Sequence, residues 1–356
     1  MERSEIVQWL RETDEHKLVE LWKRADAVRA EHVGDAVYLR GLIEFSNCCA
    51  RRCAYCGLSA DNRNVNRYRM SADEIVACAH QAVEFGYGTV VLQSGEDRAY
   101  GRDDMAGIVR RIKAETPLAV TLSLGEREDD ELVAWRDAGA DRYLLRFESS
   151  NPELYARIHP NLGSRLSDRI ALLRRMREIG YEIGSGIMVG IPGQTYADVA
   201  RDIETFVDLD LDMIGIGPYL AHPDTPLGSR ARELCAPEGE QAPSGELMTY
   251  KAYALTRIML PDANIPSTTA LATINRRNGR ELGLRRGANI MMPNITPIVH
   301  RKEYQIYPGK ACILEDAVAC HGCMLRRIEA LGRTIGNGRG DSAHFQRSRL
   351  ASAPAL

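Results

Sequence analysis

Four cysteines lie within nine positions of the segment EFSNCCARRCAYCGL, residues 44–58, whereas the whole chain of 356 residues contains nine. Three of them, Cys49, Cys53 and Cys56, have the spacing CxxxCxxC and follow a predicted strand. Cysteine thiolates are the usual protein ligands of iron–sulfur clusters. Three thiolates can hold three irons of a 4Fe-4S cube and leave the fourth iron without a protein ligand, so that iron is a binding site for a small molecule.

The open iron of such a cube suits S-adenosylmethionine, whose amino and carboxylate groups can chelate it and bring the sulfonium beside the cluster. One electron then splits a carbon–sulfur bond, giving methionine and a 5′-deoxyadenosyl radical that attacks a substrate. The cluster must lie near the reducing end of the range of about −700 to +450 mV that iron–sulfur clusters span. We therefore expect a small-molecule substrate and an external one-electron donor.

Two other interpretations of these cysteines remain open. Counting from Cys48 gives CxxxxCxxC, the spacing of plant-type ferredoxins, which needs a further cysteine, and the nearest one, Cys78, falls within a predicted helix. A structural zinc ion would need a fourth ligand in tetrahedral geometry, and none is spaced for it. We favour the open cube, with Cys48 as a bystander.

The composition of the chain excludes several classes of protein. Hydrophobic residues make up 44% and charged residues 27%, as in an ordinary globular protein. The net charge of −3 gives no bulk attraction to nucleic acid or anionic lipid. Residues 1–17 carry charges throughout and no stretch of about 18 apolar residues occurs, so we expect a cytoplasmic protein without targeting or membrane segments. Cysteines that are odd in number and bunched at two places favour metal ligation over disulfides.

An alternation of strands and helices must position the cysteines. An amphipathic helix is predicted over 14–32, and helix-start signals follow at Ser71 with Glu74 and at Thr195 with Asp198. The candidate strands are 37–47, 89–95, 118–125, 142–149, 182–190, 213–220, 265–272 and 289–296. Because parallel neighbours need helical crossovers, the pattern predicts an α/β fold, a (β/α)8 TIM-type barrel, with a doubly wound sheet as the alternative. In a barrel, CxxxCxxC would lie on the active-site face, at a C-terminal strand end.

We divide the chain into four parts. An N-terminal helical extension covers 1–36, the barrel covers 37–300, and a C-terminal segment with a second group of cysteines covers 301–332. The tail, 333–356, is rich in Gly, Ser and Arg without periodicity, so we expect it to be loosely ordered and flexible.

The first cysteine motif, with Tyr55 before its last cysteine at the end of the first barrel strand, resembles the radical S-adenosylmethionine superfamily. Further stretches narrow the resemblance, namely VLQSGED, ADRYLLRFESSNP, GIPGQT, PDANIPSTTALAT and YQIYPGKAC. From residue 40 to 332 these motifs together resemble the HydE family, the radical maturases of FeFe-hydrogenase. That family belongs to the group that includes biotin synthase and methylornithine synthase.

The resemblance implies a binding site for S-adenosylmethionine. Glu148 would contact its ribose or amine, and Arg169 its carboxylate. The other cofactor-binding residues that the resemblance implies are Tyr55, Gln93, Ser94, Gly95, Ser123 and Tyr304. Independently of the family, an acid at a strand end and an arginine on the following helix supply opposite charges for a zwitterionic ligand.

The resemblance also implies a substrate cavity. Its lining residues would be Thr121, Arg146, Thr268, Thr269, Met292 and Tyr307, near strand ends that face one cavity in a barrel. Arg146 needs an anionic partner, which would be a carboxylate or cyanide-bearing substrate or else an internal acid such as Asp141.

The resemblance implies a role in hydrogenase assembly. The family is proposed to act on an iron complex carrying CO, cyanide and cysteine, supplied by a companion maturase, on the way to the di-iron part of the hydrogenase active site. Two alternatives remain: a mutase like methylornithine synthase acting on an amino-acid-derived substrate, or a non-catalytic scaffold for an iron–sulfur or metal fragment. No nucleic acid or membrane is expected as a partner.

A second group of cysteines, Cys312, Cys320 and Cys323, forms Cx7CxxC near the end of the barrel. The resemblance implies a second iron–sulfur cluster here, of the 2Fe-2S type, which some members of the family have. The fourth ligand would be His321 or water. A zinc site or three unligated thiols are the alternatives. We assign the triad no catalytic role, and its oxidation-prone thiols suit an anaerobic host.

Overall fold

A computed structural model describes residues 1–163 and 167–352 as strands and helices in alternation. The strands are β1 (Ala36–Ser46), β2 (Thr89–Ser94), β3 (Ala119–Ser123), β4 (Arg142–Leu144), β5 (Glu182–Val189), β6 (Met213–Pro218), β7 (Ile290–Met291) and β8 (Thr334–Ile335). All the pairings between these strands are parallel.

The first eight helices carry the chain through the N-terminal part and the first crossovers. They are α1 (Arg3–Arg11), α2 (Glu15–Val33), α3 (Ala72–Glu84), α4 (Arg102–Glu115), α5 (Asp129–Asp137), α6 (Pro152–Ile158), α7 (Arg169–Ile179) and α8 (Tyr196–Asp208). The later helices are α9 (Pro226–Ser229), α10 (Glu246–Met259), α11 (Thr269–Ile274), α12 (Gly279–Leu284), α13 (Ile298–Arg301), α14 (Ala317–Glu329) and α15 (Ala343–Ser352). In the described part of the chain, none of them is long and apolar enough to cross a membrane.

The sheet has the strand order of a barrel. It runs β6-β5-β4-β3-β2-β1-β7, without the reversal that marks a doubly wound sheet. The segment 264–267 fills the gap between its two ends, because Ile214 donates to the carbonyl of Asn264 at 2.9 Å and Ser267 donates to that of Ile290 at 2.9 Å. The predicted α/β barrel is therefore confirmed.

The last two predicted strands are much shorter than expected. The stretch 265–272 contributes one bridge, between Pro266 and Ile290, before α11 begins at Thr269. The stretch 289–296 reduces to β7 with one further bridge at Asn294. Pro266 and Pro293 explain the interruption, because proline has no N–H to donate to a strand ladder.

The helix starts predicted from sequence are confirmed. Ser71 with Glu74 and Thr195 with Asp198 form capping boxes at the beginnings of α3 and α8. The N-terminal extension packs on the outside of the barrel, with α2 against α10 and α1 against α8 and α10. Its apolar face is buried there, as the helical spacing predicted.

The tail differs from the prediction of a loosely ordered segment. β8 pairs with β1, Arg339 donates to Asp141 at 2.8 Å, and the hydroxyl of Ser342 donates to Asp212 at 2.8 Å. Both acids lie near the N-terminal ends of strands, so the tail covers the end of the barrel opposite the cysteine loop. Its polar composition concealed this packing, because ion pairs and hydrogen bonds hold it. Residues 353–356 of the predicted tail lie outside the described residues.

Candidate active site

A cavity of about 330 Å³ lies inside the barrel and reaches the C-terminal ends of its strands. Twelve of the predicted ligand-binding residues border it. From the predicted cofactor set these are Tyr55, Gln93, Ser94, Ser123, Glu148, Arg169 and Tyr304, and from the predicted substrate set Arg146, Thr268, Thr269, Met292 and Tyr307. Cys56 borders the same cavity, so the structure brings the cysteine motif and both residue sets together.

Two predicted residues do not border the cavity. Gly95 lies behind it, where a Cβ would overlap the carbonyl oxygen of Cys48, so this glycine lets the β2 loop approach the cysteine loop closely. Thr121 is fully buried in β3, and its hydroxyl has no hydrogen-bond partner among the described residues. A role of Gly95 would therefore be in packing, and direct contact of Thr121 with a ligand has no support in the geometry.

The cysteine motif lies on the loop that follows β1. The N–H of Glu96 donates to the sulfur of Cys49 at 3.3 Å. Hydrogen bonds to the sulfurs of an iron–sulfur cluster help to set its reduction potential. Burial raises the pKa of Cys56 to about 12 and also raises the pKa values of Cys49 and Cys53. The sulfur of Cys48, in contrast, points to the carbonyl of Tyr68 at 3.8 Å. Three partly or fully buried thiols on one loop are a donor set that fits three irons of a cube.

A residue that sequence analysis overlooked holds this loop together. The guanidinium of Arg67 donates to the carbonyls of Asn47 at 2.6 Å, Leu58 at 2.8 Å and Ser59 at 2.7 Å. These carbonyls lie before and after the three cysteines, so Arg67 ties both ends of the loop to one point. In the sequence Arg67 is one of three arginines in the polar stretch 61–69, and nothing local distinguishes it from the other two.

Arg169 reaches the cavity from the first turn of α7 as part of a buried charge network. Its Nε donates to Glu126 at 3.0 Å, one terminal nitrogen donates to the carbonyl of Arg146 at 2.6 Å, and the other contacts His159. Although burial acts in the opposite direction, Arg169 and its neighbours hold the pKa of Glu126 below its ordinary value. Arg51, which lies in the cysteine loop itself, forms a second ion pair with Glu126. The cationic side of the cavity is therefore fixed by Glu126, an acid that sequence analysis did not name.

Arg146 and Glu148 form an ion pair inside the cavity. Two hydrogen bonds of 2.9 and 3.0 Å join the guanidinium to the carboxylate. The predicted internal acid, Asp141, instead pairs with Lys113 at 3.1 Å and with the tail. Glu148 has the left-handed backbone value φ 63°, which is unusual for a residue other than glycine. An internal acid was the alternative to a substrate anion as the partner of Arg146, and the acid that pairs with it is Glu148 and not Asp141.

A second ion pair bordering the cavity was not predicted. Lys310 pairs with Glu44 at the end of β1 and also donates to the carbonyl of Tyr304 at 3.1 Å. The amide of Asn294 donates to the other carboxylate oxygen of Glu44 at 2.8 Å. The pair is separated by 266 positions in the sequence, so no local pattern reveals it.

The second cysteine triad lies beside α14. Cys312 has φ 63°, and a hydrogen bond from the thiol of Cys320 lowers the pKa of Cys312 and raises that of Cys320. Arg327 donates to the sulfur of Cys323 at 3.3 Å. Within the described ranges, no three thiol, imidazole or carboxylate groups converge as ligands of one metal ion would.

His321, which lies between Cys320 and Cys323 in the sequence, contacts two aromatic side chains. Its ring stacks on Phe85 with centroids 4.5 Å apart, and its Nδ1 shares a hydrogen bond of 2.9 Å with the hydroxyl of Tyr87. These contacts occupy one face of the ring and its Nδ1.

Comparison with known proteins gives the family. The sequence model of the Radical SAM superfamily matches residues 43–206. The [FeFe] hydrogenase maturase subunit HydE of Thermotoga maritima is 48% identical over 321 residues, covering 90% of this chain and 88% of the relative. The chain belongs to the HydE family of the Radical SAM superfamily. It is a radical S-adenosylmethionine enzyme, with a 4Fe-4S cluster and S-adenosylmethionine as its cofactors.

Methylornithine synthases are more distant relatives. The 3-methylornithine synthase of Methanosarcina acetivorans is 29% identical over 279 residues, covering 78% of this chain and 75% of the relative. The crystal structure of methylornithine synthase superposes with a TM-score of 0.80 at 25% identity, covering 97% of this chain and 96% of that one. The identity of 48% to HydE of Thermotoga maritima confirms the family inferred from sequence, and the superposition with methylornithine synthase confirms the barrel fold.

Proposed function

We propose that this HydE-family enzyme is a maturase of FeFe-hydrogenase. Its substrate would be an iron complex carrying CO, cyanide and cysteine, and its product would lead to the di-iron part of the hydrogenase active site. The observation that carries the proposal is the identity of 48% to the maturase subunit of Thermotoga maritima over nearly the full length, compared with 29% to a 3-methylornithine synthase.

In this proposal the cysteine loop holds the cluster, and residues near the strand ends supply most of the contacts with S-adenosylmethionine. Cys49, Cys53 and Cys56 hold three irons, with the N–H of Glu96 supporting one of the sulfurs. When bound, the reduced cube supplies the electron that splits a carbon–sulfur bond of S-adenosylmethionine. The remaining cofactor contacts come from Tyr55, Gln93, Ser94, Ser123, Glu148, Arg169 and Tyr304, with Gly95 allowing the close approach of the β2 loop.

The polar side chains deeper in the cavity would bind the substrate. Cyanide and carboxylate groups accept hydrogen bonds, and the cavity offers donors from Arg146, Thr268, Thr269 and Tyr307. Met292 adds a polarizable apolar surface. A volume of about 330 Å³ lies within the range of about 300–1,000 Å³ that is usual for small-molecule sites.

The second triad would hold a 2Fe-2S cluster through Cys312, Cys320 and Cys323, with water completing the ligands. The contact between Cys312 and Cys320 and the cationic Arg327 beside Cys323 support this proposal. The iron content of a Cys312→Ser/Cys320→Ser variant tests it, and a wild-type iron content in that variant would contradict it.

Companion maturases and a one-electron donor would be the partners of the enzyme, and the cytoplasm its compartment. None of the nine cysteines forms a disulfide, which agrees with a reducing compartment.

Maturation in cells tests the proposal directly. A host that lacks its own HydE-family protein, but retains the other maturases and an FeFe-hydrogenase, should regain hydrogen evolution when this chain is expressed. The likeness to methylornithine synthase, with a TM-score of 0.80, keeps one alternative. Formation of 3-methylornithine from amino acids by the purified enzyme, without restored hydrogen evolution, would favour that alternative.

A further inference from the structure

Asp202 lies on α8, behind the sheet and away from the cavity lining, and it is fully buried. One carboxylate oxygen accepts from the N–H of Ser150 at 2.5 Å and from its hydroxyl at 2.6 Å. The other oxygen accepts from the amide of Gln194 at 3.2 Å. A single side chain therefore joins the loop after β4 to the loop after β5.

The loop after β4 carries a residue that borders the cavity. Glu148 precedes Ser150 by two positions and has a left-handed backbone, which a non-glycine residue keeps only when its surroundings fix it. Its N–H donates to the carbonyl of Gly186 at 3.0 Å. The hydrogen bonds from Ser150 to Asp202 fix the chain on the other side of the same turn.

The loop after β5 is held by the second partner of Asp202. The amide oxygen of Gln194 accepts from the N–H groups of Gly190 at 2.7 Å and Ile191 at 3.2 Å. Its amide nitrogen also donates to the carbonyl of Met188 at 3.1 Å, and Met188 borders the cavity. Gln194 thus folds the GIPGQ turn around its own side chain, and Asp202 fixes the orientation of that side chain.

We propose that Asp202 is a positioning residue for S-adenosylmethionine, setting the spacing between the β4 loop that carries Glu148 and the β5 loop. The inference rests on the proposed contact of Glu148 with S-adenosylmethionine. Because Ser150 and Gln194 both donate, their partner must offer two acceptor oxygens, and a carboxylate does so. In Asp202→Asn, one of those oxygens becomes an NH2 group that faces another donor, so one of the two loops loses its anchor.

A matched control lies at the opposite end of the barrel. Asp212 is also fully buried and accepts from a backbone N–H, that of Ile183 at 3.0 Å, and from a serine hydroxyl, that of Ser342 at 2.8 Å. It contacts neither loop of the cavity. Asp212→Asn therefore makes the same substitution at a fully buried acid that accepts from a backbone N–H and a serine hydroxyl. It also removes charge contacts with Arg177 at 3.4 Å and His344 at 3.2 Å, and it does not touch the proposed cofactor site.

Binding of S-adenosylmethionine to reconstituted protein of equal iron content tests the proposal. We expect Asp202→Asn to weaken the Kd for S-adenosylmethionine about tenfold or more at unchanged 4Fe-4S content, and Asp212→Asn to change it less than twofold. In the metal-free protein, Asp202→Asn should also accelerate amide exchange in residues 147–151 and 188–194. A wild-type Kd in Asp202→Asn, or an equal loss in both variants, would overturn the proposal.

A milder variant keeps the test decisive if Asp202→Asn does not fold. Ser150→Ala removes only the hydroxyl donor to Asp202 and should weaken the Kd about threefold, and an unchanged Kd in this variant would contradict the proposal. Binding is measured without the iron complex, so a different substrate for the enzyme would leave these results unaffected.

Discussion

Arg146 and Glu148 are joined across one intervening residue by two hydrogen bonds, from Nε to one carboxylate oxygen at 2.9 Å and from a terminal nitrogen to the other at 3.0 Å. The pair balances its own charge at the edge of the cavity, so neither group needs a ligand to be stable there. Arg146 can therefore bind an anionic substrate group while it holds the carboxylate proposed to contact S-adenosylmethionine. The cofactor and substrate regions of the cavity share this one pair.

Replacing Arg146 alone should destabilise the fold more than replacing Arg146 and Glu148 together. Arg146→Met leaves Glu148 buried without its counter-charge, and we expect a loss of about 1–3 kcal/mol in the free energy of unfolding, discounted because the Arg146 side chain is 29% exposed. Arg146→Met/Glu148→Gln should recover at least half of this loss. Urea unfolding of the metal-free variants measures the coupling, and equal destabilisation in both would show that the charge pair does not matter.

Cys48 and Cys49 should behave differently although they are neighbours. Cys49→Ala removes a proposed iron ligand, so reconstituted protein should lose the 4Fe-4S absorbance and form no 5′-deoxyadenosine. Cys48→Ala removes only a weak contact with the carbonyl of Tyr68 and should retain both properties within about twofold. Iron analysis and product chromatography under anaerobic conditions decide the matter, and an inactive Cys48→Ala would reverse our ligand assignment.

The ion pair of Lys310 with Glu44 offers a second test of buried charge. Both side chains are almost completely buried, so Lys310→Met should cost about 3–5 kcal/mol in the free energy of unfolding by leaving Glu44 without a counter-charge. In Lys310→Met/Glu44→Gln, the amide oxygen of the new glutamine can still accept from Asn294, so this double variant should regain most of the lost stability. If the double variant is as unstable as the single one, the packing of Lys310 and not its charge is what stabilises the site.

Packing of the tail should depend on pH through His344. A hydrogen bond with Asp212 raises the pKa of His344 above its ordinary value, and Asp210 adds to this effect. Because the raised pKa belongs to the folded state, the stabilisation is present below about pH 6.5 and is lost as pH rises through the folded pKa. Amide protection in 339–347, corrected for intrinsic exchange, should therefore fall as the pH rises above about 6.5. In His344→Gln the protection should not change over this range, and a parallel fall would refute the assignment to His344.

Local sequence patterns predicted the parts of the fold that local physics determines. Capping residues such as Ser71 and Thr195 begin helices where expected, and the β/α alternation predicts which strand ends meet. Twelve of the predicted ligand-binding residues border one cavity because the HydE resemblance located them on the correct strand ends. The lengths of the last two strands were overestimated. Pro266 and Pro293 interrupt the hydrogen bonds of the strand ladder, although the residues around them favour strands.

The features of the site and the tail that could not be predicted depend on polar contacts between residues far apart in the sequence. Glu44 with Lys310 and Asp202 with Ser150 join segments far apart in sequence, and neither partner carries a local signal of the other. The tail shows the same effect, because its polar residues pack through partners such as Asp141 and Asp212 that only the closed barrel brings close.

Cleavage of S-adenosylmethionine tests the central claim most directly. The anaerobically reconstituted enzyme, reduced with dithionite and supplied with an iron complex carrying CO, cyanide and cysteine, should release methionine and 5′-deoxyadenosine, and Cys49→Ala should release neither. A wild-type protein with a complete 4Fe-4S cube that yields no 5′-deoxyadenosine in the presence of this complex would contradict the account and favour a non-catalytic scaffold.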